Sequence, residues 1–150
     1  MSNFHFQEYY QCEPNIRGGQ MPYINVNLPI KISKNQKTEL AHEMILAYSE
    51  IMQTQRWRPN IGISEFIDGN LVHLAEDVLE PIIMVLVEYR RGRPNELRLE
   101  LARRIAKACH QILDFPEKNV FVEFTPHDGN EMYRNGDWVA EWSPSEATAN

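Results

Sequence analysis

Two short runs of this chain carry residue types that could do chemistry: Met21-Pro22 and the arginine-rich stretch that begins at Arg90. A proline at an amino terminus is a secondary amine, and α-amino groups have pKa values of about 7.7–8.0, so they exchange protons near neutral pH. A proline inside a chain is an amide with no basicity. Guanidinium groups bind planar carboxylates through paired hydrogen bonds. A free Pro22 beside arginines of this stretch would therefore combine a proton shuttle with a clamp for a small carboxylic acid.

The apolar periodicity predicts the elements that must position these residues. Strands are expected over 22–28, 61–67, 82–87 and 120–124, and helices over 34–53 and 95–113, the first capped by Ser33. Pro22 recurs as Pro81 and Ile63 as Val122, roughly 59 residues apart in each pair, which indicates a duplicated βαβ unit.

Two such units predict an α+β fold, in which a four-stranded mixed sheet carries both helices on one face. Apolar residues on the opposite face of the sheet would need a cover, so a homo-oligomer is expected. Residues 1–20 are polar and aromatic without a period, and we expect them to be an extension outside a single domain at 22–150.

Composition disfavours several classes of protein. The net charge of −6 counts against a nucleic-acid binder, and no apolar run approaches the roughly 18 residues of a membrane span. Neither the two cysteines, Cys12 and Cys109, nor the five histidines show metal-ligand spacing, so no metal site or cofactor is expected. Unpaired cysteines favour a cytoplasmic location.

The strand-opening Met21-Pro22, the duplicated unit and the run Arg90-Arg91-Gly92-Arg93-Pro94-Asn95-Glu96-Leu97 resemble the tautomerase superfamily, whose members include 4-oxalocrotonate tautomerase. Within it the chain is most similar to the group around cis-3-chloroacrylic acid dehalogenase and malonate semialdehyde decarboxylase. The resemblance continues through 101–105, 120–124 and 132–136, and it covers about residues 22–142.

The resemblance implies a homotrimeric, cofactor-independent enzyme that isomerises a small 2-keto or enol carboxylate. By position, Pro22 matches the catalytic base, and Arg90 and Arg93 match the arginines that bind the substrate carboxylate. This activity requires Pro22 to be the mature amino terminus. Translation from Met21 followed by removal of the methionine, or proteolysis, would free it from residues 1–20.

Other positions depart from the pattern of that group and leave the reaction open. Tyr48 stands where the group has a histidine, Glu123 where it has a tyrosine, and Arg134 where it has a water-activating glutamate. Glu131, one helical turn earlier, is a candidate substitute, and Trp138 is a candidate pocket wall. A decarboxylase, a dehalogenase or hydratase of a three-carbon acid, and a non-catalytic protein with Pro22 blocked remain alternatives.

Two aromatic segments have plainer interpretations. Arg56-Trp57-Arg58 resembles a stacking platform for an anion, but the sequence favours a solvated turn with one packed tryptophan. Trp142, like Trp138, is expected to pack within the domain, to wall a pocket or to cap a subunit interface.

Overall fold

The structure, a computed structural model, describes residues 22–147 and forms a four-stranded mixed sheet with two long helices on one face. Its elements are β1 (Tyr23–Leu28), α1 (Lys34–Ile51), β2 (Asn60–Glu65), β3 (Val72–Ala75), β4 (Val78–Pro81), β5 (Ile83–Arg90), α2 (Asn95–Leu113), β6 (Val120–His127), β7 (Tyr133–Arg134) and β8 (Asp137–Trp138). The central sheet has the strand order β2-β1-β5-β6. The predicted fold class is confirmed. The expected extension over 1–20 lies outside the described residues.

Strand directions bring four chain segments to one end of this sheet. β1 runs parallel to β2 and antiparallel to β5, and β5 runs parallel to β6. Tyr23 therefore lies opposite both Asn60 and Glu88, while Arg90 lies opposite His127. The starts of β1 and β2 and the ends of β5 and β6 thus meet at what we call the arginine end of the sheet.

Alternation along the strands builds the core on the helix-covered face. Every second residue of the two central strands is fully buried against apolar side chains of both helices. These residues are Ile24, Val26, Leu28, Ile83, Val85 and Val87 on the strands, and Leu40, Met44, Leu101 and Ile105 on the helices. Each such side chain contributes roughly 1.5–3 kcal/mol of transfer free energy, so this face fixes the strand register.

The first helix begins where the sequence predicts. The Ser33 side chain accepts a hydrogen bond from the Gln36 backbone N–H (3.1 Å), and the Gln36 side chain accepts one from the Ser33 N–H (3.0 Å). This reciprocal pair is a capping box, which satisfies two otherwise unpaired donors at the helix start. The helix ends at Ile51, two residues before the predicted boundary.

The structure differs from the prediction at two places between the helices. The sequence placed Tyr89 and Arg90 in a loop, but both belong to β5, because β6 continues to His127 and pairs with them. The hairpin of β3 and β4 was missed altogether. Pro81, predicted only to precede a strand, is the last residue of β4 and lies opposite Val72 at the open end of that hairpin.

Within residues 22–147, no helix is both long and apolar enough to cross a lipid bilayer.

Candidate functional site

Pro22 lies buried at the arginine end of the sheet, directly before β1. Its carbonyl oxygen accepts hydrogen bonds from the Asn60 backbone N–H (3.0 Å) and from the Asn60 side-chain Nδ2 (3.4 Å). These bonds tie the residue to the start of β2. Since Tyr23 pairs with Glu88, the antiparallel ladder brings the end of β5, and with it Arg90, to the same end of the sheet.

Arg90, a predicted carboxylate binder, is 3% exposed and already holds a carboxylate. Its Nη1 donates to Glu146 Oε1 (3.0 Å) and its Nη2 donates to Glu146 Oε2 (2.7 Å). Nη1 also donates to the Ala140 carbonyl oxygen (2.6 Å). Glu146 belongs to a short 3-10 helix, Pro144–Ala147. The two parallel bonds form the forked geometry by which arginine recognises a planar acid.

Arg58 places a second guanidinium on the same carboxylate. It is 5% exposed, its Nη1 donates to Glu146 Oε2, and its Nε donates to Gln55 Oε1 (3.2 Å). Burial lowers the pKa of Arg58, and the positive charges of Arg90 and Arg134 lower it further, while the Glu146 carboxylate opposes them. An ordinary arginine pKa is so high that the group stays charged.

The prediction of a solvated turn at Arg56-Trp57-Arg58 is therefore wrong for Arg58. It is wrong for Trp57 as well, because that tryptophan, expected to pack, is 44% exposed. The physical reason is the strand order: β2 starts beside β1, which places Arg58, two residues before β2, against Glu146 of the C-terminal segment.

Arg93, the other predicted carboxylate binder, holds the loop between β5 and α2. Its Nε donates to the Met52 carbonyl (2.6 Å) and its Nη1 to the Arg90 carbonyl (3.0 Å). Its guanidinium carbon lies 4.8 Å from the centroid of the Trp142 ring, a cation–π distance. Burial lowers the pKa of Arg93. Trp142 thus packs within the domain, as one of its predicted interpretations has it.

Tyr48 is brought to this cluster from α1. The residue is 1% exposed, and burial raises the pKa of Tyr48 to about 12, against the opposing effect of the Arg93 and Arg90 charges. A buried phenol with this pKa is neutral near pH 7 and acts as a hydrogen-bond donor, not as a base.

The remaining candidates are spread over the same end and the open face of the sheet. Arg134, on β7, is close enough to Arg58 to contribute to its lowered pKa. The Glu131 carboxylate accepts the backbone N–H of Asp128 (2.8 Å). Glu123 is exposed on the sheet face away from the helices, and Trp138 is 62% exposed. Among residues 22–147, no hydrogen bond or ion pair joins Glu123 or Trp138 to the three buried arginines.

A cavity of about 210 Å³ opens at the arginine end, on the side of the sheet away from the helices. It is lined by Tyr23, Glu88, His127, Glu131, Met132 and Tyr133. His127 lies 3.3 Å from a Glu88 carboxylate oxygen. The cavity adjoins the residue that follows Pro22, and it places Glu131 near the start of β1.

No protein-family model matches the chain, and neither does the sequence of any curated protein. Solved structures do match. Pt0534, in a crystal structure of the protein inactivated by 2-oxo-3-pentynoate, is 20% identical with a TM-score of 0.70 over 79% of this chain and 96% of its own.

N1, a member of the cis-3-chloroacrylic acid dehalogenase family, is 17% identical with a TM-score of 0.71 over 79% of this chain and 84% of its own. Q0, a fused 4-OT that forms a symmetric trimer, is 20% identical with a TM-score of 0.70 over 77% of this chain and 94% of its own. These neighbours are tautomerase-superfamily proteins, and at these identities the likeness establishes a shared fold.

Proposed function

We propose that this chain, which has the fold of the tautomerase superfamily, is a cofactor-independent tautomerase acting on a small 2-keto or enol carboxylate. Pro22 is the base when it is the first residue of the mature protein, and Arg90 binds the substrate carboxylate. The observation that carries the proposal is the buried Arg90 fork, which grips a carboxylate at the end of the sheet where Pro22 lies.

The chemistry is a proton transfer between carbon and oxygen. The amine of Pro22 takes a proton from the carbon next to the keto group, and the electron pair moves to the keto oxygen. Reprotonation on oxygen gives the enol, and the reverse sequence gives the keto acid. Buried guanidinium groups near the amine disfavour its protonated form, which lowers the pKa of the amine and keeps it basic near neutral pH.

The neighbours of Arg90 have supporting roles in this proposal. The neutral phenol of Tyr48 is a donor for the developing enolate oxygen, since its raised pKa keeps its proton in place. Arg93, predicted as the second carboxylate binder, supports the site in this proposal by holding the Met52 and Arg90 carbonyls through its Nε and Nη1.

Ketonisation of a simple enol acid, followed by ultraviolet absorbance, tests the function with two forms of the protein. The form that begins at Pro22 should accelerate ketonisation, and the form that begins at Met1 should be slower by at least about 100-fold, because its Pro22 nitrogen is an amide. Equal weak activity of the two forms would count against the proline base. A mass spectrum of protein from natively expressing cells that shows only the form with residues 1–20 retained would also count against it.

A non-catalytic binding protein is the second candidate. The observation that favours it is Glu146, whose carboxylate fills the Arg90 fork. If Pro22 stays an amide, the same cluster would serve binding alone. Absence of ketonisation by the form that begins at Pro22, combined with retained binding of a 2-oxo acid, would favour this candidate over the enzyme.

We also propose a homotrimer. The open face of the sheet carries Tyr23 and Phe121, which are 36% and 40% exposed, around the half-buried Met84 and Leu86. Apolar area on this scale calls for a partner surface. Light scattering after gel filtration should give three times the mass of the chain. Leu86→Glu should reduce that mass, whereas Leu99→Glu, on the outer surface of α2, should leave it unchanged.

A further inference from the structure

The charge buried at the arginine end is unbalanced. Every charged residue that the structure buries between residues 22 and 147 is an arginine of this cluster: Arg58, Arg90 and Arg93, which are 5%, 3% and 9% exposed. Burying like charges together is costly unless an anion compensates them. Within the part of the chain that the structure describes, the acid that bonds to this cluster is Glu146.

The three arginines differ in the hydrogen bonds that they donate to the Glu146 carboxylate. Arg90 donates hydrogen bonds to both carboxylate oxygens of Glu146, and Arg58 donates a third hydrogen bond, to Oε2. Arg93 donates two hydrogen bonds to backbone carbonyl oxygens. Arg58 and Arg90 thus form a receptor that offers three hydrogen-bond donors to one carboxylate group, whereas Arg93 fixes the position of the loop between β5 and α2.

Glu146 reaches the receptor from a short segment. It lies in a four-residue 3-10 helix, and its side chain is 15% exposed. A short exposed segment of this kind opens at low free-energy cost compared with the sheet core. In contrast, Arg90 is the last residue of the central strand β5, and Arg58 lies two residues before the start of β2.

We propose that Arg58 and Arg90 together are the carboxylate-binding site of this protein, and that Glu146 occupies it as an internal stand-in for the ligand. A 2-oxo acid binds by displacing the Glu146 carboxylate, so the C-terminal segment competes with the ligand and sets the apparent affinity. The inference rests on the proposed function in taking the ligand to be a small 2-oxo acid and Arg90 to be one of its binding residues. Arg58 is thereby a binding residue, and Arg93 a positioning residue.

Calorimetric titration of the full 150-residue chain with 2-oxobutanoate tests the site without requiring turnover. Glu146→Gln removes the competing charge and should tighten the Kd by at least about 10-fold. Glu100→Gln, an equal charge change on the exposed surface of α2, should leave the Kd at its original value. The neutral ketone 2-butanone should not bind to any of these proteins.

Arg58 is then examined in the Glu146→Gln background, where the competing acid is gone. Arg58→Gln should weaken the Kd by at least about 10-fold there, because it removes a charge-assisted donor. Arg56→Gln in the same background is the matched control, since Arg56 is exposed and pairs with Glu50. An unchanged Kd in Glu146→Gln, or no effect of Arg58→Gln in that background, would overturn the proposal.

A measurement on the unsubstituted protein keeps the test decisive if Glu146→Gln fails to fold. Titration with 2-oxobutanoate should move the side-chain Nε–H resonances of both Arg58 and Arg90, while that of Arg91, which pairs with Asp128 on the surface, stays in place. Movement of Arg90 alone, or of neither arginine, would refute the two-arginine site. Binding without ketonisation would leave this site standing and remove only the proposed tautomerase activity.

Discussion

Two arginine-bearing turns meet at one end of the sheet, and they look different in sequence but similar in structure. The Arg58 turn, before β2, contains Arg56 and Arg58; what we call the Arg90 turn consists of Arg90, the last residue of β5, and Arg91, the first residue after it. In each turn one arginine is buried and the other is exposed: Arg58 and Arg90 are 5% and 3% exposed, whereas Arg56 and Arg91 lie on the surface. Both buried arginines bond to the carboxylate of Glu146.

The difference between the turns lies in what surrounds them in the chain. The Arg90 turn is flanked by a long stretch that resembles a known family, so the sequence marks it as a site. The Arg58 turn has no such flank. What makes the two equivalent is the parallel pairing of β1 with β2 beside the antiparallel pairing of β1 with β5. Proximity at the end of the sheet, and not the local motif, assigns an arginine to the cluster.

The largest expected effect is the difference between Arg90, which is buried, and Arg91, which is exposed. Arg90→Ala in the form that begins at Pro22 should lower kcat/KM for ketonisation by about 100- to 1000-fold, because truncating a buried charged partner costs about 3–4 kcal/mol of binding in the transition state. Arg91→Ala should change it by less than about twofold, since surface ion pairs contribute little. Equal losses of kcat/KM in the two variants would contradict the distinction between the buried and the exposed arginine.

Stability should distinguish the arginine that holds the loop. Arg93→Ala leaves the Met52 and Arg90 carbonyls without their donor, which should cost about 2–4 kcal/mol of unfolding free energy in urea titrations. Arg56→Ala, a change at the exposed arginine of the first turn, should cost less than about 0.5 kcal/mol. A similar small cost at Arg93 would contradict its assignment as the anchor of the loop.

Alkaline pH should reveal the effect of the buried Tyr48 phenol, which lies within range of the Arg93 and Arg90 charges. Burial raises the pKa of Tyr48 to about 12, so above about pH 10 the unfolded chain loses a proton that the folded chain keeps. The contribution of Tyr48 to the free energy of unfolding is fully present below about pH 10. It should fall by about 2–3 kcal/mol as the pH approaches 12. Tyr48→Phe should remove most of this decline in denaturation measured at each pH, while Tyr133→Phe, on the exposed surface, should retain it.

The two tryptophans beside the arginines should give the smallest difference. Trp142 is half-buried over Arg93 at 4.8 Å, and Trp57 is 44% exposed beside Arg58 at 5.0 Å. Trp142→Leu should cost about 1 kcal/mol of stability and Trp57→Leu less than about 0.5 kcal/mol, because a cation–π contact gains strength when it is shielded from water. Chemical denaturation of the two variants measures the difference; the reverse order would show that shielding is not the deciding factor.

Much of this arrangement could be predicted from local pattern. The helix spacing of Leu101 and Ile105 and the Ser33 cap follow from interactions within a few residues, so both were found. Arg90 was found because its flanking residues resemble those of a family. Arg58 was missed because its burial depends on Glu146, which is 88 residues away in the chain.

The sequence by itself determined the duplicated βαβ unit, the face of each helix that packs on the sheet, and the candidates Pro22, Arg90, Arg93 and Tyr48. Those features depend on periodicity, capping and local resemblance, which short stretches of chain carry. Only the tertiary structure decided which arginines share a carboxylate, because that depends on strand order and on where the C-terminal segment lies. The physical reason is that burial of a charge is a property of everything packed around it, and the partners of Arg58 and Arg90 come from two separate parts of the chain, Gln55 in one and Ala140 with Glu146 in the other.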